Sequence, residues 1–265
     1  MNLDRRAREA PARPLVGTVI SAPDPSLAES IARAFDFVWI DLEHSALSLR
    51  DMQTLVLAVQ GAGCAAHVRL PRRDSEHLPA VLDAGVDGIV APMVETASAA
   101  TTLVRRLRYP PNGSRGFGPR RAGGHGRTPA FWATPESRVA CTVQIESPRA
   151  VDNVAAIAAV DGVDALVVGT ADLSFGLGRP QELDSRPMRE AIEKVEAAAS
   201  AHGVACGLAA GGDPKTIREA MGGRSRLAVY SVDVRMYASA VDAAAAAMRE
   251  ALEGVQEGVR SHVVD

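Results

Sequence analysis

Eight short runs rich in Val, Ile and Leu, each followed by an amphipathic segment, fill the 265 residues with no stretch that reads as a linker. The runs are nearly continuous in apolar residues, the pattern of parallel strands covered on both faces. Together these observations predict one α/β domain, a (β/α)8 TIM barrel. An open doubly wound sheet is the main structural alternative, and the lack of a G-x-G-x-x-G after the first run weakens its dinucleotide-binding form. With 47% hydrophobic and 23% charged residues, the chain has the composition of a globular domain rather than a disordered one.

The strand segments, in order, are Leu15 to Ser21, Phe37 to Glu43, Ala65 to Leu70, Gly88 to Met93, Val139 to Glu146, Ala165 to Thr170, Val204 to Ala209 and Leu227 to Val232. Between the second and third, Ser48 to Gln60 spaces Leu49, Met52, Leu55, Val56 and Val59 at helical steps. After the fifth, Pro148 to Ala159 reads as one helix with Ser147 as N-cap and Pro148 in its first turn. The segment Pro110 to Pro135 breaks the rhythm, being rich in Gly and Pro, with Arg115, Arg120, Arg121 and Arg127 and no acid. It is expected as a long loop, either a solvated or subunit-contacting surface or part of an anion site. The last helix, roughly Val234 to Gln256, carries small residues through Ala240 and Ala244 and overshoots a barrel of this size. It would pack on its own barrel or be exchanged with another subunit, which makes a homo-oligomer the expectation, a trimer or hexamer. The domain limits read as a frayed terminus over 1–14, the barrel over 15–257 with its loop at 110–135, and a tail over 258–265.

Net charge is −3, and the basic loop interleaves few aromatics, only Phe117, Phe131 and Trp132, so nucleic acid is not an expected partner. No uncharged apolar stretch approaches the ~18 residues of a membrane span. Cys64, Cys141 and Cys206 are odd in number and widely spaced, as buried free thiols of a reducing compartment would be. With no apolar run in MNLDRRAREAPARP, a cytoplasmic location is the expectation.

In a barrel, catalytic side chains converge where strands end at the carboxyl face. Here the second strand ends in Asp41, Glu43 and His44, the third in His67 and Arg69, the fifth in Gln144 and Glu146, the sixth in Gly169, Thr170, Ala171 and Asp172, and the eighth in Asp233. Asp41 and Asp233, taken singly, read as helix caps or salt bridges. Glu146 and Asp172 end adjacent strands, and two close carboxylates call for a cation or a shared proton. Oxygen ligands without Cys or a His pair suit Mg2+ or Mn2+, with Co2+ as a further option. Gly169 and Ala171 let backbone N–H groups approach a carboxylate closely. Arg69 suits an enolate oxygen, and His44, flanked by acids, suits a general base. His77, His125, His202 and His262 read as structural, while His67 could share the face of Arg69.

The strings FDFVWIDLEHSALS, HVRLP, VLDAGVDGIVAPMVET, RYPPNGSRGFGP, VQIESPRAVDN and VDALVVGTADLS occur in order over nearly the whole chain and resemble successive blocks of the HpcH/HpaI aldolases, metal-dependent pyruvate aldolases of 4-hydroxy-2-oxo acids. The resemblance implies a barrel with an exchanged C-terminal helix, oligomerisation, and a divalent metal at Glu146 and Asp172. It further implies that His44 and Asp83 form a base dyad, that Arg69 stabilises a pyruvate enolate, and that Gln144, Gly169, Thr170, Ala171 and Leu208 bind substrate. By chain order Asp83 ends a helix before the fourth strand, away from His44, so the pair would need unusual local geometry or a second subunit. The chain departs from the family pattern in having Leu42 in place of Gly, Thr170 in place of Pro, and PRRAGGHG after Gly118, which bears on the aldehyde partner.

Barrel aldolases stabilise the carbanion through a lysine imine or a metal-held enolate. Of 29 basic residues only Lys194 and Lys215 are lysines, both in helical segments, which disfavours the imine. The expected activity is therefore carbon–carbon bond cleavage or formation between a 2-oxo acid and an aldehyde. An oxaloacetate decarboxylase or a biosynthetic lyase using the same enolate is the nearest alternative, and a non-catalytic binding barrel the more distant one.

Overall fold

The computed structural model describes residues 13–127 and 139–261. The chain runs β1 (Leu15–Ile20), α1 (Pro25–Ala32), β2 (Phe37–Asp41), α2 (Leu49–Gly61), β3 (Ala65–Arg69), α3 (Leu78–Asp83), β4 (Gly88–Ala91) and α4 (Ala97–Leu107). A 3-10 turn (Arg121–Gly126) then leads to β5 (Ala140–Ile145), α5 (Pro148–Asp152), α6 (Val154–Ala158), β6 (Ala165–Gly169) and α7 (Thr170–Gly176). The rest is α8 (Arg186–His202), β7 (Ala205–Ala210), α9 (Pro214–Ala220), β8 (Leu227–Val232) and α10 (Asp233–Ser261). All eight strands pair in parallel and in chain order, and β8 closes on β1, so the (β/α)8 expectation is met.

Local chemistry sets the helix starts. The Asp24 side chain accepts from Ser26 and Leu27 N–H at the head of α1, Ser48 and Asp51 form a reciprocal capping box on α2, and Ser147 caps α5 with Pro148 in its first turn. Two apolar layers follow from the period of two along each strand. One, including Val38, Ile40, Val68, Ile89, Val143 and Leu208, lies between strands and helices; the other, including Phe37, Trp39, Val90, Val167 and Val229, fills the barrel interior. His67 occupies the interior beside Gly88, where a Cβ would come within 2.4 Å of the imidazole ring. Its ring centroid is 6.2 Å from that of Phe37.

Several expectations need correction. Pro148 to Ala159 is two helices, broken at Asn153 (φ −95°, ψ 5°), whose amide donates to Glu95 O at 2.8 Å. The second strand stops at Asp41 and the fourth at Ala91, because Glu43 and Met93 belong to turns that serve the site below. Asp233 caps the barrel seam: its buried carboxylate accepts from Ser21 N, Ser21 Oγ and Ala22 N at 2.6–2.9 Å. The described part of the basic loop packs on its own barrel, with Arg121 donating to Ala84 O, Gly85 O and Gln60 Oε1 at the strands' amino-terminal end. Residues 1–12, the remainder of the loop over 128–135, His262 and the last residues of the expected tail lie outside the described residues. The three cysteines are buried. Among the described residues, no helix is long and apolar enough to cross a membrane.

α10 packs against β1 and β8, yet it leaves Val234, Tyr237, Val241, Met248 and Leu252 between 45% and 67% exposed.

Candidate active site

The carboxyl ends of β2, β3, β5 and β6 bring one charged cluster together. Asp41 and Arg69 are register partners on adjacent strands, and this pairing allows a bidentate contact, Nε to Oδ1 at 2.9 Å and Nη2 to Oδ2 at 2.7 Å. Arg69 Nη1 also lies 3.3 Å from Glu43 Oε2. Burial pushes the Asp41 carboxyl up, but the Arg69 hydrogen bonds and charge, with N–H bonds from Glu43 and His44, outweigh it and hold the group below its ordinary value. Asp41 therefore does more than cap a turn. It fixes the guanidinium that faces the mouth, and it orders the Glu43–His44 turn, accepting from both backbone N–H groups.

Glu146 follows β5. Its Oε1 accepts from Met93 N–H at 2.6 Å and its Oε2 accepts from the Gln144 side-chain amide, which sits two residues earlier on the same strand face. Gly169 on β6 faces this pair; a Cβ there would lie 2.7 Å from both Gln144 Nε2 and Glu146 Oε2, so any side chain at this position would displace the pair. Burial, reinforced by the charges of Glu43 and Asp172, pushes Glu146 up to about 7 against the opposing Met93 hydrogen bond and Arg69 charge. Glu43 is pushed up as well, by burial first and by Asp41 and Asp172, despite Arg69 and His44. Asp172, in the first turn of α7, is thus electrostatically coupled to both glutamates.

This donor set fits a divalent cation. The charge of Asp172 raises the proton affinity of both Glu43 and Glu146, and among the described residues Glu43 Oε2 and Gln144 Oε1 are buried without a hydrogen bond. Among the described residues no group of three or more His, Cys, Asp and Glu forms a metal cage. A cation on Glu146 and Asp172 would therefore complete its shell with water or substrate, as hard cations with open positions do.

The other predicted residues divide. His44 stands at the rim, its side chain 64% exposed and its Nε2 3.8 Å from Glu43 Oε2. Thr170 spends its hydroxyl proton on Ala209 O at 2.9 Å. Thr170 and Ala171 also line a cavity of about 570 Å3 that extends past Ser174 and Gly212 toward Arg235. Leu208 does not bring its side chain to the mouth: it is 1% exposed in the layer between strands and helices, because Gly207 and Ala209 take the inward positions on β7. Asp83 ends α3 at the opposite end of the barrel, where Arg115 Nη2 approaches it to 3.7 Å and Gly118 packs against its carboxylate; within one chain it does not meet His44. Sequence reasoning missed the role of Asp41 and passed over Met93 altogether.

The chain is similar to known proteins over most of its length. Residues 18–260 match the family model described as HpcH/HpaI aldolase/citrate lyase. A 4-hydroxy-2-oxovalerate aldolase of Novosphingobium aromaticivorans is 37% identical over 231 residues, 85% of this chain and 86% of the relative. A 5-keto-4-deoxy-D-glucarate aldolase of Citrobacter koseri is 32% identical over 92% of this chain and 96% of its own. The crystal structure of an HpcH/HpaI aldolase/citrate lyase family protein from Burkholderia cenocepacia J2315 superposes with a TM-score of 0.86 at 35% identity, covering 93% of this chain and 98% of the other. With the barrel and the strand-end cluster in place, the chain belongs to the HpcH/HpaI aldolase/citrate lyase family and is a carbon–carbon lyase.

Proposed function

We propose that the protein cleaves and forms 4-hydroxy-2-oxo acids through a pyruvate enolate, with Mg2+ or Mn2+, or Co2+ in their place, held by Glu146 and Asp172. The observation that carries this reading is the gathering of Glu43 and Glu146 about the Arg69 guanidinium, with the charge of Asp172 acting on both glutamates. When bound, the cation supplies Lewis-acid stabilisation of negative charge on the 2-oxo acid. The backbone of Gly169 to Ala171 and the Gln144 side chain hold the carboxylate end. His44, at the rim, takes the proton of the 4-hydroxyl, the C3–C4 bond breaks, and its electron pair passes into the enolate. Arg69, kept charged by Asp41 despite its burial, stabilises the enolate oxygen. Protonation at C3 releases pyruvate, and the aldehyde leaves.

An imine route has little support. Lys215 is 80% exposed beside Glu219 at the start of α9, and Lys194 pairs with Asp152 at 2.9 Å. EDTA should abolish turnover and Mn2+ should restore it; full activity in chelator together with borohydride trapping on Lys215 would overturn the proposal. A panel of 4-hydroxy-2-oxo acids and oxaloacetate separates aldol cleavage from decarboxylation, with the former expected to be faster. The exposed apolar side chains of α10 support assembly into a homo-oligomer, trimer or hexamer, and the separation of Asp83 from His44 within one chain supports a dyad formed between subunits.

A further inference from the structure

Met93 adopts φ 52°, a left-handed conformation that residues with a side chain rarely take. Such outliers persist only where surrounding contacts hold them. Two hydrogen bonds do so here. The Met93 N–H donates to Glu146 Oε1 at 2.6 Å, and the Met93 carbonyl accepts from Arg73 Nη1 at 3.1 Å. Arg73 lies on the exposed β3–α3 turn, so a surface guanidinium is connected through one residue's backbone to a buried carboxylate of the site. Glu146 is held on its other oxygen by Gln144, and the Met93 N–H is the contact that sets its remaining degree of rotation.

We infer that Arg73 and Met93 are positioning residues for Glu146: Arg73 pins the carbonyl of the Met93–Val94 peptide, the left-handed φ of Met93 relates that peptide to the preceding Pro92–Met93 peptide, and the N–H of the latter orients the carboxylate toward the divalent cation. The inference rests on the reading of Glu146 as a metal ligand. Supports behind a ligand commonly govern metal affinity as well as rate.

The sign of the effect separates positioning from simple charge. Removing a cationic side chain near a cation site would by electrostatics alone tighten metal binding. Positioning requires the reverse. The test is Mn2+ binding to the full chain, measured by the electron paramagnetic resonance of free Mn2+, with far-UV circular dichroism as the check on folding. Arg73→Ala should weaken binding by about tenfold, the low end of what loss of an outer support costs. Arg73→Lys, which keeps a donor and the charge, should recover most of it. Met93→Gly, which keeps the N–H and tolerates the left-handed conformation, should bind within about twofold of wild type. Unchanged or tighter binding in Arg73→Ala overturns the inference, as does a loss in Met93→Gly equal to that of Arg73→Ala, which would assign the effect to the methionine side chain. Glu146→Ala distinguishes the two levels: if it binds Mn2+ normally, the ligand reading and the inference both fall; if it loses Mn2+ while Arg73→Ala does not, only the inference falls.

Discussion

At the amino-terminal end of the barrel, Asp36, Asp87 and Asp164 stand immediately before β2, β4 and β6. Each donates its N–H to a carbonyl of the preceding strand, Val16, Ala66 or Cys141, at 2.9 Å, and each returns a carboxylate oxygen to the N–H of that same residue at 2.8–2.9 Å. Before β8 the corresponding position is Arg226, whose N–H donates to Cys206 O at 2.8 Å but which has no carboxylate to return. At the carboxyl end, Glu43 and Glu146 lie beside Arg69, and burial together with the charge of Asp172 pushes both glutamates up. The same chemical group thus does opposite work at the two ends. Where a backbone N–H meets it, a carboxylate holds strand register; where other carboxylates meet it, it is held ready for a cation.

The sharpest way to break this contrast is to remove a carboxylate from the mouth. Asp172→Ala should lower kcat/KM by on the order of 10^3-fold, the several kcal/mol that a bound cation contributes to the transition state, while the thermal midpoint stays level or rises as repulsion is relieved. A large fall in the midpoint would show that Asp172 is structural. Next in size, His44→Ala and Asp83→Ala should each lose about 10^2- to 10^4-fold, the range of a general base. Refolding the two variants together should restore activity if the dyad is shared between subunits, and mixed oligomers as inactive as their parents would exclude sharing.

Between the two ends lies His67, buried and, among the described residues, with no hydrogen bond to either ring nitrogen. Burial, only partly opposed by the charge of Asp87, lowers it to about 4. Its neutral form is the one that fits the fold. Its contribution is therefore complete above the unfolded value near 6.5 and is lost as pH falls from there toward 4, up to about 3 kcal/mol. Urea denaturation of wild type and His67→Asn across this window should show a shallower acid slope in the variant; parallel slopes would remove His67 from the acid response. The smallest effect belongs to the base. Asp164→Ala should cost about 1–3 kcal/mol by stranding the Cys141 N–H, with kcat/KM unchanged, and a loss of activity without a loss of stability would erase the distinction between the ends.

Much of this molecule was legible in its residues. Eight apolar runs fill the length, and the strand-end positions of Arg69, Gln144, Glu146 and Asp172 place them at one mouth. Leu208 shows where such reading stops. A parallel strand buried on both faces is apolar throughout, so the run from Val204 to Ala209 conceals which side chains point inward. Asp41 shows a second limit: its partner is set by strand register, which puts it opposite Arg69, and an isolated Asp at a strand end looks the same whether it caps a helix or clamps an arginine.

What the sequence determined by itself is the set of elements and the end of the barrel at which most of the chemistry gathers, because hydrophobic period and chain order suffice for both. Tertiary structure alone decided the inward parity of β7, the Asp41–Arg69 clamp and the strained Met93 backbone behind Glu146. Each of these depends on contacts between segments far apart in the chain, and local propensity carries no information about such contacts.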